Sequence, residues 1–485
     1  MPKESDCPDG VMVIVVPNAM AFRALVESPV LPLLQETGGN PIMVLSHREE
    51  DGSDPGTRLP AGVEWRDILK PCQGQPRQSW WRRGLRWAWT RFARFGFDYG
   101  NIAYRFNHLH GFRSHQFKQR MNPKRRVREA LAGNFVDPVY GKPFPGSGRL
   151  YGWIYRLYYA WWQVPDRYIE AFFDQTNIFN MTLWYVQNPI YREYSLCIRR
   201  HGVRAVGIVG SWDRLTTKGP ICPGCERYVV NSEIMRRELM EYHGVAGSDI
   251  DVVGWPQMDK YQIDDFVSPR AQFMSELGLK EQDRLIVFAG NSERLGQHEP
   301  SIVQFILEQL EKGAFGENIY LLIRTHPNDR NWRQRFGGAI DHAYATLMSA
   351  GMGNIQLLAN TMAHCDMVIS TQGSVSLDAV AFDRYVININ FDGDLNPDPM
   401  ESVKRLYEME HYRPVVETGG VHLVADFDEL KAAIHTGLVH PERSEEERRK
   451  LRELELEPFD GNAARRQVWS MTGTRMTGTT MSGER

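Results

Sequence analysis

Short runs of aliphatic and β-branched residues, each ending in a polar or glycine-containing loop and followed by a stretch with helical spacing, recur along the 485-residue chain. Val11-Met-Val-Ile-Val-Val16 is the first run and stops at Pro17-Asn18; after a helix-like segment, Pro41-Ile-Met-Val-Leu-Ser46 follows Gly38-Gly39 as the second. Continuous apolar runs of this length, without alternation, are strands covered on both faces, as in a parallel βαβ sheet. The rhythm breaks at Pro71 and resumes with Arg204-Ala-Val-Gly-Ile-Val209, Arg227-Tyr-Val-Val230 and Ile250-Asp-Val-Val253. Asn231-Ser232 caps a helix that contains Met235, Leu239 and Tyr242. Lys260 to Asp283 reads as the crossing between domains. A fresh sheet then opens with Leu285-Ile-Val-Phe-Ala289, a helix from about Glu299 to Leu310, Ile319-Tyr-Leu-Leu-Ile323, a longer helical region, Ile355-Gln-Leu-Leu358 as a further strand, Met367-Val-Ile-Ser370 and Tyr385-Val-Ile-Asn-Ile389. Ser444 to Leu456 reads as a charged surface helix, and the final residues, rich in Thr, Met and Gly, read as disordered.

The pattern predicts an α/β fold with two Rossmann-like domains, since a chain of this length exceeds what one core holds. The N-terminal domain takes residues 1–262, with an insertion over about 75–170. The C-terminal domain takes 263–460, and 461–485 is a disordered tail. Two such sheets in series imply a cleft between them, and the polar loops at their strand ends are where open α/β sheets keep their sites.

Charge changes this picture in one place. The formal net charge is -3, yet thirteen of the 57 Lys and Arg fall between Arg77 and Arg126 against one of the 60 acids, Asp98. There, Trp80, Trp81, Trp87 and Trp89 alternate with Arg82, Arg83, Arg86 and Arg91. Arginine mixed with aromatic rings suits an interfacial helix on anionic lipid; nucleic acid would be met by the same residue types, and an insertion packed against its own domain, with solvated arginines, accounts for them as well. No run of about 18 apolar residues occurs, and the six cysteines show no disulfide spacing, so the expected location is cytoplasmic, peripheral on the inner face of the membrane. Cys222-Pro-Gly-Cys225 is half of a zinc site without a second half.

The chemistry concentrates in the stretch from Met367 to Ile389, which reads as strand, polar turn, helix, strand. Its turn, Thr371-Gln-Gly-Ser374, offers backbone N–H groups and the hydroxyls of Thr371, Ser374 and Ser376 to one spot, a candidate diphosphate site. Asp378, four residues past Ser374, is placed to accept from the hydroxyls of a ribose; a capped helix with a solvated Asp378 accounts for the same pattern. Arg324 and His326, just past the strand Ile319 to Ile323, suit the charge of a donor diphosphate. Asn291 and Ser292 follow the first strand of the same domain as further phosphate contacts. The reading assigns no metal ligand and no cofactor, because Arg, His and helix dipole supply the neutralising charge.

Four loops then carry a resemblance. Trp212-Asp-Arg-Leu-Thr-Thr-Lys218, Gly254-Trp-Pro-Gln-Met-Asp259, Arg324-Thr-His-Pro327 and Ser370-Thr-Gln-Gly-Ser-Val-Ser-Leu-Asp378 resemble, in order and spacing, the CDP-glycerol glycerophosphotransferase family and related surface-polysaccharide glycosyltransferases. The resemblance covers roughly residues 204 to 395, and Pro458-Phe-Asp-Gly461 is also similar. It implies a GT-B fold with the donor nucleotide in the C-terminal domain and the acceptor in the N-terminal one, where Trp212, Lys218, Gly254 and Asp259 line the acceptor loops. The chain is similar, more distantly, to UDP-N-acetylglucosamine 2-epimerases, whose comparable acid binds ribose, which supports that role for Asp378. Polyglycerolphosphate polymerases of the family carry Trp-His-Gly-Thr-Pro-Leu-Lys, with His as the base; here Asp213 stands in that position. A carboxylate serves as a base as well as an imidazole does, and the exchange favours a sugar over glycerol phosphate as the transferred group.

The resemblance and the residues together imply an inverting, metal-independent transferase. It moves a glycosyl group, or glycerol phosphate, from a nucleotide-diphosphate donor to a cell-surface glycan or lipid-linked acceptor, with no nucleic-acid partner. An epimerase of the same fold and a non-catalytic, membrane-docked glycan-binding subunit are the alternatives.

Overall fold

The computed structural model describes residues 10–46, 59–68 and 167–473, apart from 218–220, 222–223, 294, 327–328, 350–353, 398–401, 408 and 410, together with Trp80, Trp81 and Gly84. Most of the insertion expected over about 75–170 lies outside the described residues, as do Lys218 and Arg294. The described residues fall into two compact units, which the chain passes between after Asp259 and again before Pro458.

The first unit holds β1 (Val11–Val16), β2 (Ile42–Ser46), β3 (Val63–Asp67), β4 (Ile178–Trp184), β5 (Arg204–Ile208), β6 (Arg227–Val230) and β7 (Ile250–Val252). They form one parallel sheet in the order β3-β2-β1-β4-β5-β6-β7. The run from Met12 to Val16 is buried throughout because β1 lies between β2 and β4 with helices packed against it. β4 interrupts its apolar pattern with Asn180 and Thr182, which is why the sequence does not announce it; the Asn180 amide donates to the Met471 carbonyl at 2.8 Å. That carbonyl belongs to the helix Ala463–Thr472, in the stretch assigned from sequence to a disordered tail. Ala464, Val468 and Met471, at helical spacing, join the same core as Val16, Leu31 and Trp184. Each large apolar side chain buried this way is worth about 1.5–3 kcal/mol, enough to order the helix.

The second unit holds β8 (Arg284–Ala289), β9 (Ile319–Arg324), β10 (Ala345–Met348), β11 (Met367–Ser370), β12 (Tyr385–Ile389) and β13 (His422–Val424), parallel and in the order β10-β9-β8-β11-β12-β13. Ile355-Gln-Leu-Leu358, expected as a strand, begins the helix Ile355–His364: Asn354 accepts the Leu357 N–H at 2.8 Å and starts it. A four-residue apolar run carries no period of its own, and the cap decides. Lys260 to Asp283 is likewise no free crossing. Ser268 donates its N–H to Asn360 at 2.9 Å, Arg270 binds the Asp283 carbonyl at 2.7 Å, and the segment packs into this unit.

In both sheets the strand order reverses once, between β1 and β4 and between β8 and β11. Ligands of open α/β sheets bind beyond the carboxyl ends of the strands at such points. Arg324, His326 and the Thr371–Ser374 turn leave β9 and β11 at one of these ends, and the loop of Asp213 leaves β5 at the carboxyl end of the other sheet.

Candidate functional site

In the second unit three loops meet at the β8/β11 reversal. Glu299, fully buried in the first turn of the helix Glu299–Glu311, ties them together. Its carboxylate accepts the Asn291 N–H at 2.8 Å from the loop after β8, lies 3.5 Å from the Thr371 hydroxyl after β11, and pairs with Arg335 at 2.8 Å. Arg335 also pairs with Asp329 after β9 and donates to the carbonyls of Asn291 and Gly296. Burial raises the Glu299 carboxyl to about 7 against the opposing pull of Arg335. His298 contacts the Thr371 hydroxyl through Nε2 at 3.0 Å, and burial lowers its imidazole to about 4, so it is neutral at pH 7. Gly296 is required here, because a Cβ would fall 2.4 Å from the Glu299 carboxylate.

The turn itself is buttressed from below. The Asn388 amide donates to the hydroxyls of Ser370 at 3.1 Å and Ser376 at 3.2 Å, and its oxygen accepts from Tyr412; all four residues are buried. The Tyr407 hydroxyl donates to the Ile389 carbonyl at 2.7 Å, and the Tyr412 hydroxyl also lies 3.2 Å from that of Ser376. This corrects the expectation of an open anion cradle. Ser376 points into the core, and Thr371 points at His298 and Glu299. Of the three hydroxyl residues only Ser374 is exposed, and it makes no capping bond to a helix, Val375–Ala381, of two turns. The Gln372 amide nitrogen lies 2.8 Å from Nε2 of the buried His411.

Positive charge at this end comes from Arg324. Its buried Nε finds no hydrogen-bond partner among the described residues. Burial lowers its pKa while the Asp378 carboxylate opposes. Asp378 accepts from the Tyr261 hydroxyl at 2.8 Å, and burial raises its carboxyl to about 6, opposed by Tyr261 and Arg324. Tyr261 in turn packs its ring 4.9 Å from that of Phe382. His326 is half-buried, its pKa lowered first by burial and then by Arg324, which favours the neutral ring. Asn291 accepts the Ser292 N–H at 2.8 Å, so both expected phosphate residues are set in a rigid loop. Asp392-Gly-Asp394, after β12, has metal-motif spacing, yet both Asp392 oxygens are used by Ser402 and the Val403 N–H, at 2.6 and 2.8 Å.

In the first unit Asp213 is half-buried and accepts from the Ser211 hydroxyl at 2.6 Å, while Trp212 is buried beside it. His243, lowered to about 4 by burial, lies with Nε2 at 2.9 Å from the Leu215 carbonyl and accepts the Ile221 N–H at 3.4 Å, pinning the loop at both ends. Gly254 and Asp259 have other work than lining an acceptor site. Gly254 sits at φ 87° where a Cβ would meet the Pro458 carbonyl at 2.3 Å. Asp259 accepts the N–H groups of Ala463 and Ala464 at 2.9 and 2.7 Å, capping the C-terminal helix. The Gly254–Asp259 and Pro458–Gly461 motifs are thus one structural joint.

Sequence reasoning missed Glu299, Arg335, Tyr261 and His243. The one local signal was an acid before proline in the first turn of a strongly apolar helix.

Comparison with known proteins gives a family and a fold. The family model described as CDP-Glycerol:Poly(glycerophosphate) glycerophosphotransferase matches residues 221–471, just over half the chain. No curated protein matches at a significant level. A UDP-GlcNAc 2-epimerase from Neisseria meningitidis, bound to UDP-GlcNAc, superposes with TM-score 0.51 at 12% identity, covering 96% of this chain and 100% of that one. A second UDP-N-acetylglucosamine 2-epimerase gives TM-score 0.51 at 12% identity, covering 98% and 99%. At such identity these likenesses concern the fold alone, the two-sheet α/β class of GT-B proteins expected from the sequence.

Proposed function

The chain belongs to the CDP-glycerol:poly(glycerophosphate) glycerophosphotransferase family and is a transferase, and from that premise we propose that it moves a glycosyl group, or glycerol phosphate, from a nucleotide-diphosphate donor to a surface-glycan or lipid-linked acceptor. The observation that carries the donor half is Arg324: a cation at the β8/β11 reversal, beside Asp378, with its buried Nε lacking a hydrogen-bond partner among the described residues. A diphosphate supplies an acceptor for that Nε, and neutral His326 donates to the same group as charge grows on the leaving nucleotide. No metal or cofactor enters this reading. Asp378 keeps one oxygen on Tyr261 and turns the other to the ribose. Thr371, Gln372, Gly373, Asn291 and Ser292 shape the wall, and Ser374 alone of the turn hydroxyls meets the donor directly.

Asp213 acts as the base. It takes the proton from the acceptor hydroxyl as that oxygen bonds to the transferred group and the donor bond breaks. Attack at the sugar carbon inverts it and frees a nucleoside diphosphate; attack at phosphorus delivers glycerol phosphate and frees a nucleoside monophosphate. Family membership favours the second and Asp213 in place of histidine favours the first. Chromatography of the nucleotide released from UDP-sugars and from CDP-glycerol, with and without a glycan acceptor, tests the whole reading. Acceptor-dependent release supports it; conversion of a UDP-sugar without acceptor makes the protein an epimerase, and no turnover makes it a binding subunit.

Asp378→Ala removes one charged contact to the ribose while leaving the buttress under the turn. Nucleotide affinity falls about 10- to 100-fold, the worth of a hydrogen bond to a charged group. Titration calorimetry showing wild-type affinity would remove Asp378 from the site.

No helix among the described residues is long and apolar enough to cross a membrane. We assign the protein to the inner membrane surface through the basic aromatic segment, whose described residues Trp80 and Trp81 are 80% and 49% exposed. Co-sedimentation with phosphatidylglycerol vesicles falls as salt rises, and equal recovery with neutral vesicles would refute the assignment.

A further inference from the structure

Gln187, at the carboxyl end of β4, is used by neither the donor site nor the base. It is 4% exposed, and neither its amide oxygen nor its amide nitrogen has a hydrogen-bond partner among the described residues. A buried primary amide in this state is costly unless a further molecule pairs with it. It stands three residues beyond β4, beside the β1/β4 reversal where an open α/β sheet receives ligands.

The backbone that carries it is fixed and strained. Tyr185 holds φ at 65°, the left-handed region that bulky residues avoid, and such strain gathers at ligand sites. The Asn188 N–H closes the turn onto the Tyr185 carbonyl at 2.9 Å, and the Val186 N–H joins the Ile208 carbonyl at 2.8 Å. The fully buried Tyr191 hydroxyl rests on the carbonyls of Val15, at 2.7 Å, and Trp184, fastening the ends of β1 and β4. The Tyr185 ring covers Gly210, where a Cβ would fall 1.5 Å from it. The Gln187 turn and the loop that leads to Asp213 are therefore built against each other. From Trp184 to Tyr191 the chain carries no charged side chain, and the buried Ser232 hydroxyl after β6 also has no hydrogen-bond partner among the described residues. Uncharged donors and acceptors suit hydroxyl groups better than phosphate or carboxylate.

We propose that Gln187 is a recognition residue for a polyhydroxyl ligand. Its amide oxygen accepts from one hydroxyl, its amide N–H donates to a neighbouring oxygen, and the ligand is the acceptor that Asp213 deprotonates. Only the last clause rests on the transferase reading; diol recognition by the amide stands apart from it.

Saturation-transfer NMR with glycerol and N-acetylglucosamine as probes, on the full chain, tests the proposal beside thermal unfolding and titration with CDP and UDP. Wild-type protein gives probe signal. Gln187→Leu loses it and unfolds at a higher temperature, because an apolar side chain of similar size removes the uncompensated amide. Gln187→Asn, with the amide drawn back by one methylene, weakens probe binding at least tenfold at unchanged unfolding temperature. Nucleotide binding is equal in all three. Probe signal retained in Gln187→Leu, or absent from the wild type, overturns the assignment. Failure of CDP and UDP to bind would count against the donor reading and leave the Gln187 result standing.

Discussion

Asp213→Asn lowers transfer at least about 100-fold and leaves nucleotide affinity near that of the wild type. A general base contributes about 10² to 10⁴ in rate, or roughly 3 to 5 kcal/mol of barrier, whereas a donor contact shows first in affinity. Asparagine retains the shape that receives the Ser211 hydroxyl, so the loop pinned by His243 stays in place. What it loses is the capacity to take a proton. Single-turnover kinetics at saturating donor measure the rate, and calorimetry measures the affinity. Wild-type transfer by the asparagine variant would leave Asp213 a loop residue, and loss of nucleotide affinity would make it a donor ligand.

Glu299→Ala is expected to be the most damaging single substitution in the second unit. It strips Arg335 of one of its two buried carboxylate partners, leaves the Asn291 N–H without its acceptor and leaves the Thr371 hydroxyl with His298. Breaking a buried ion pair costs about 3–5 kcal/mol, or roughly ten degrees of melting temperature in a unit of this size. Because the broken links run to the loops after β8, β9 and β11, nucleotide binding falls with stability. Glu299→Gln keeps hydrogen-bonding shape and loses less. Its value is the pH dependence: burial raises the folded carboxyl to about 7 from an ordinary 4.5. The folded chain therefore holds this proton more tightly than the unfolded one. The stability so gained is complete below pH 4.5 and is lost as pH rises through 7. His298, depressed to about 4, and Asp378, raised to about 6, titrate in both proteins and cancel in the comparison. Scanning calorimetry should show the melting temperature of the wild type falling relative to Glu299→Gln between pH 5 and pH 8. A difference independent of pH would mean that Glu299 keeps its charge throughout.

The strands that ordered the fold were legible where burial on both faces wrote an unbroken apolar run, as in β1 and from Leu285 to Ala289 in β8. β4 was not, because Asn180 and Thr182 sit in its middle, and the residue that accommodates Asn180 is Met471, far along the chain. The tail helix failed for the same reason: its apolar residues count only against a core supplied by β4 and its neighbours. Positions directly after a strand, such as Arg324, His326 and Thr371, could be read from the pattern alone. Direction could not. Ser376 and Thr371 carry the right hydroxyls, but Asn388 and Glu299 draw them inward. Asp259 had the look of a site acid and is a helix cap. Glu299, Arg335 and Tyr261 owe their roles to contacts between loops, which no local spacing encodes.

The central claim is that the second unit binds the diphosphate of a nucleotide donor through Arg324. Thermal unfolding of the wild type and of Arg324→Ala against CDP, UDP, GDP and ADP tests it most directly. At 100 times its dissociation constant the matching nucleotide should stabilise the wild type by about 2.7 kcal/mol and leave Arg324→Ala, folded by circular dichroism, unmoved. A wild type indifferent to all four nucleotides, or an alanine variant stabilised as much as the wild type, would contradict the account.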